Sequence, residues 1–106
     1  MSDYNISKEQ LLNITKVFYN PTAREIINNK ENIQSFSLDD LRKICFELST
    51  SVKNRGPFLF SSPYIKYFKD YPQAMEIINN FKSLNVQSMD SIQLINALSS
   101  LSKLCD

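Results

Sequence analysis

Six aromatic residues crowd one stretch of this chain. Phe58, Phe60, Tyr64, Tyr67, Phe68 and Tyr71 make up half of its five tyrosines and seven phenylalanines. Tyr64, Tyr67, Phe68 and Tyr71 repeat at i, i+3, i+4 and i+7, which sets four rings on one side of a helix. Such rings offer a large contact area at low entropy cost and are enriched among interface hot spots. They are too closely spaced for all six to face one core, so a partner-binding surface is expected here. The competing reading is that the same rings close the core of a small bundle.

Basic residues lie among and before these rings: Lys66 and Lys69 within the stretch, Lys53 and Arg55 just ahead of it. Cations interleaved with aromatics can hold a single-stranded nucleic acid, the bases stacking and the phosphates paired. The totals argue against that use. Twelve basic residues face eleven acidic ones, a formal charge of +1, whereas a chain that depends on phosphate contacts usually carries a basic excess. Lysines on an otherwise apolar helix also serve simply to keep it in water. Contact with RNA or single-stranded DNA through Lys53, Arg55, Lys66 and Lys69 therefore stands as the alternative to a protein partner.

Other chemistries lack their residues. The chain has no histidine, which removes imidazole acid–base catalysis, Ser-His and Cys-His nucleophile pairs and nearly all catalytic zinc sites. A lone glycine cannot build a phosphate-cradling loop or a dinucleotide fingerprint. Cys45 and Cys105 are far apart and form no CxxC pair. Asp39 and Asp40 are neighbours, but on a helix they point about 100° apart and serve better as anions at a helix start. Glu25, Glu47 and Glu76 lie singly on polar faces. No catalytic residues, metal or cofactor are expected, and the chain reads as a non-enzyme.

The elements that would position these residues are helical. Ser7-Lys-Glu-Gln10 forms a capping box ahead of a Leu11, Ile14, Phe18 stripe, and Pro21 stops that helix. Thr22-Ala-Arg-Glu25 reads as a second box, with Ile26, Ile27 and Ile33 on the buried side and fraying in the polar run Asn28–Asn32. Ser37 caps a third helix carrying Leu38, Leu41, Ile44, Cys45, Leu48 and Val52, closed by Gly56-Pro57. Ser62-Pro63 opens a short aromatic helix ending near Lys69. Asp70 caps a fifth, with Ala74, Ile77, Ile78 and Phe81 inward. Ser88 caps a sixth, with Met89, Ile92, Ile95, Leu98 and Leu101 as its core stripe. No segment alternates cleanly and no hairpin turn is signalled. The expectation is a single all-α domain over 1–106, a compact bundle of about five to six short helices.

Composition agrees with one globular unit: 42% hydrophobic and 22% charged residues are ordinary values, and a chain of this length can close one core without staples. The amino terminus has no basic and apolar leader, and no apolar run approaches the ~20 residues of a membrane span. Two cysteines do not make a secreted disulfide scaffold, so reduced thiols and a cytoplasmic location are expected.

Two local likenesses are visible. Gln87-Ser-Met-Asp-Ser-Ile-Gln-Leu-Ile95 resembles the stretch around the modified serine of acyl carrier proteins, which would place that serine at Ser88. The likeness covers under about a tenth of the chain, Gln87 stands where carriers have an acidic residue, and only one helix follows where a carrier needs more. Ser37–Leu48 and Ser88–Leu98 share a Ser, apolar, Asp, leucine-rich pattern that is similar to the helix-pair repeats of some organellar RNA-binding proteins. Their spacing to the first helix is unequal, unlike a repeat array of fixed period. Neither likeness assigns a family. The leading expectation is a small protein–protein interaction module, an adaptor, inhibitor or small subunit of a larger assembly. Its partner would be another protein or a second copy of the chain, with no membrane.

Overall fold

Capping side chains punctuate this chain. The structure, a computed structural model, describes residues 6–59 and 73–105. Among them five α-helices and two single 3-10 turns follow in order: α1 (Lys8–Val17), α2 (Pro21–Asn28), a turn at Ile33–Ser35, α3 (Leu38–Leu59), α4 (Gln73–Lys82), a turn at Val86–Ser88, and α5 (Ser91–Ser102). The chain is all-α, a small helical bundle.

The Ser7 box forms as its sequence demands. The Gln10 amide donates to Ser7 Oγ at 3.2 Å and the Ser7 amide to Gln10 Oε1 at 2.7 Å, satisfying two of the donors a helix start leaves open. Ser37 opens α3 in the same way, with Asp40 as the reciprocal acceptor at 3.3 Å. Lys30 reaches that carboxylate at 3.2 Å and ties the end of α2 to the start of α3.

Two caps differ from expectation. The cap of α2 is Asn20, not Thr22: its Oδ1 accepts from the Ala23 amide at 2.9 Å. Pro21 explains this. It holds the first helical position, where its missing N–H costs nothing, and it keeps Asn20 in the extended conformation a cap requires. The cap of α5 is Asp90, not Ser88. Its Oδ1 accepts from the Gln93 amide at 2.8 Å, and Gln93 Oε1 accepts in return at 2.9 Å. Ser88 is consumed in the preceding turn, donating to the Asn85 carbonyl at 3.0 Å.

The third helix is also longer than expected. It runs 22 residues, through Gly56 and Pro57 to Leu59. Proline's fixed φ is itself helical, so near a helix end the ring forfeits a hydrogen bond without forcing a stop. The expected short helix from Ser62 to Lys69 and the Asp70 cap lie outside the described residues.

One apolar cluster extends from Ile6 to Leu104. At its centre α3 packs against α2, α4 and α5, while α1 packs against α2 and α5. Leu41, Ile44, Cys45, Leu48 and Val52 form the buried stripe of α3 and share one cluster with Ile27 of α2, Phe81 of α4 and Leu94, Ile95, Leu98 and Leu101 of α5, which Leu11, Ile14 and Phe18 join from α1 and its carboxyl end. Arg42 fixes the link into α5, donating from Nε to the Val86 carbonyl at 3.1 Å and from Nη2 to the Met89 carbonyl at 3.3 Å. Ile92 is a correction to the expected stripe: it is 56% exposed. It sits about 60° around the axis from Ile95, on the side away from Leu94 and Leu98. The radius of gyration, 12.8 Å, is that of a closed fold of this length.

Candidate functional site

The junction of α1 and α2 holds the one positive-φ residue among the described residues. The Asn20 amide donates to the Thr15 carbonyl at 3.0 Å, the six-to-one bond of a Schellman end. That bond places Tyr19 at the position where glycine is favoured. Tyr19 takes the left-handed conformation, with φ of 49°. For a residue with a Cβ this costs about 1–2 kcal/mol, part of which glycine would lose again through its greater unfolded-state freedom. Burial offsets little of this: Tyr19 is 73% exposed.

The next residue is locked in place. Asn20 is buried, and besides capping α2 its Nδ2 donates to the Glu47 carbonyl at 3.0 Å and to Ser51 Oγ at 2.7 Å, with Glu47 Oε1 at 3.4 Å. The amide thus anchors the junction to α3, which fixes where Tyr19 projects.

Two open grooves adjoin at this corner. One, of about 370 Å³, is lined by Glu9, Leu12, Asn13, Lys16 and Arg24. The other, of about 350 Å³, is lined by Thr15, Lys16, Tyr19, Asn20, Pro21 and Arg24. Lys16 and Arg24 border both and are exposed. Among the described residues neither cation forms an ion pair or side-chain hydrogen bond. A third groove, of about 340 Å³, lies between α3 and the turn before α5, with Phe46 59% exposed beside Asp39, Arg42, Lys43 and Gln87. Its Arg42 is already committed to the Val86 and Met89 carbonyls.

Among the described residues the two titratable groups with shifted values are structural. Burial raises the Asp40 carboxyl, but Lys30, the Ser37 amide and the Ser37 hydroxyl outweigh this and hold it below its ordinary value. Desolvation pushes the Cys45 thiol up to about 12. Its Sγ faces the Leu94 carbonyl at 3.8 Å, so it behaves as a core side chain rather than a nucleophile.

Of the residues singled out in the sequence, Lys53 stands exposed on α3. Arg55 and Phe58 belong to the backbone of the same helix; position 55 is about 200° around the axis from position 53. Phe60, Tyr64, Lys66, Tyr67, Phe68, Lys69 and Tyr71 lie outside the described residues. Tyr19, Lys16, Arg24 and Phe46 were not singled out. A signal for Tyr19 existed in part: helices commonly end on a left-handed residue, and the lone glycine is far from this junction at Gly56. No helix among the described residues is long and apolar enough to cross a membrane. No family model, curated protein or solved structure matches the chain.

Proposed function

We propose that this chain is a small non-enzymatic protein–protein interaction module, an adaptor, inhibitor or small subunit of a larger assembly, working in the cytoplasm. The observation that carries this reading is the exposure of large apolar side chains around a closed core. Tyr19 and Phe46 stand in water at 73% and 59%, with Met75 and Ile92 also exposed. Aromatic side chains kept out of a core and set beside cations are the usual makings of an interface anchor. The stretch 58–71, which begins in the last turn of α3, carries six rings and is the principal binding surface in this reading. A buried reduced thiol at Cys45 suits the cytoplasmic assignment.

The test is affinity capture from the native cell with the purified chain as bait, read by mass spectrometry. The Tyr67→Ala, Phe68→Ala double variant is run in parallel and checked by circular dichroism. A protein partner held by the parent and lost by the double variant, at unchanged helicity, supports the module. If the double variant unfolds, the rings are core and the surface is elsewhere. If nuclease treatment releases the captured material, or affinity falls steeply with salt, the nucleic-acid alternative through Lys53, Arg55, Lys66 and Lys69 takes its place.

A further inference from the structure

The corner between α1 and α2 has the properties of a second, charge-selective docking surface. Tyr19 holds a conformation that glycine would take at lower cost, and it stays 73% exposed. A strained, exposed aromatic contributes little to folding, so its value lies in what it presents. Beside it Lys16 and Arg24 border both grooves with their donors unspent among the described residues. The rigid Asn20 anchor to Glu47 and Ser51 keeps the corner in one shape, which lowers the ordering cost of binding.

We infer that this corner docks an acidic segment of a partner protein, carboxylates paired with Lys16 and Arg24 and an apolar side chain laid on the Tyr19 ring. Charge complementarity selects the occupant. Two cations without a partner among the described residues, set beside a ring, ask for an anion with an apolar neighbour. Glu9, bordering the first groove beyond Leu12 and Asn13, repels further acidic residues there and limits the segment to a short one. The near-neutral total, +1, gives no long-range pull on a polyanion such as RNA.

The inference rests on the interaction-module reading but uses Lys16, Tyr19 and Arg24 rather than residues 58–71, so the two fail separately. Capture that depends on Tyr67 and Phe68, with no effect at this corner, leaves the module standing and removes this surface. The probe is a short synthetic peptide of Asp and Glu around a central Phe. It is titrated into the ¹⁵N-labelled full chain at near-physiological salt, alongside its Asn/Gln counterpart and a short oligouridylate. Saturable shifts at the amides of Lys16, Tyr19 and Arg24 are expected with the acidic peptide. The Lys16→Glu, Arg24→Glu double variant should weaken them about tenfold. Tyr19→Gly should weaken binding several-fold while melting about 4 °C higher, because the strain is gone. Equal binding of the neutral peptide, undiminished binding by Tyr19→Gly, tighter binding of the oligouridylate at the same amides, or no shifts there at all would each overturn the assignment.

Discussion

Asn20→Ala probes the joint on which this fold turns. The native side chain is buried and makes three short hydrogen bonds beside the longer one to Glu47 Oε1: it caps α2 through the Ala23 amide, and its Nδ2 donates to the Glu47 carbonyl and to Ser51 Oγ. Loss of an N-cap costs about 1 kcal/mol. Each buried hydrogen bond contributes about 1 kcal/mol net, and the abandoned Ser51 hydroxyl, itself buried, carries part of its desolvation penalty. The sum is about 3 kcal/mol, a large fraction of the 5–15 kcal/mol that holds a typical domain. In urea, with a slope of about 1.5 kcal/mol/M, the midpoint should drop by about 2 M at unchanged slope. Asn20→Asp separates the roles. It keeps the cap but sets a carboxylate against the Glu47 carbonyl and side chain, so the charged form is the one disfavoured. Its deficit should be greatest near neutral pH and shrink as acid protonates the new group. A loss under about 1 kcal/mol for Asn20→Ala, or a variant with aspartate as stable as the parent at about pH 7, would refute the view that this amide joins α1 and α2 to α3.

Further expectations concern the core, the thiol and the α3 cap. Ile95→Ala should cost about 3 kcal/mol, because the side chain is buried, whereas Ile92→Ala should change the urea midpoint by little, about 0.5 kcal/mol at most. With its thiol buried and pushed up to about 12, Cys45 stays protonated and shielded from reagents in the folded chain. Iodoacetamide should therefore spare it in the native chain and reach it after denaturation, as peptide mapping would show. For Asp40 the folded carboxyl is depressed below its unfolded value of 3.8. Its contribution is fully present above that value and is lost as pH falls through the folded one. Asp40→Asn should lower stability near neutrality by a fraction of about 1 kcal/mol and flatten the acid limb of a pH–stability curve below about pH 4.

The helical class and most of the core were written locally. A cap and its partner are three residues apart, as in Ser7–Gln10 and Ser37–Asp40, and a buried stripe repeats every three or four residues, as from Leu41 to Val52. Such patterns are visible in a short window because helical hydrogen bonds and side-chain neighbours lie within one turn. Competing local signals were less decisive. Thr22 and Ser88 were plausible caps, and Asn20 and Asp90 prevailed because proline geometry and the Asn85–Ser88 turn used up the alternatives.

The surface corner belonged to tertiary structure. Asn20 meets Ser51 across 31 positions and Arg42 meets Met89 across 47, and no window of sequence contains both partners. Ile92 carries the same residue type and helical spacing as Ile95, yet one is in water and the other in the core. Which arc of a helix is covered depends on where its neighbours stop. The sequence alone determined that this chain is built of capped amphipathic helices lacking imidazole chemistry, because those properties reside in residue types and short spacings. Only the tertiary structure decided that the corner carrying Tyr19 is anchored to α3, because Asn20 finds Glu47 and Ser51 across 27 and 31 positions, once distant segments have met.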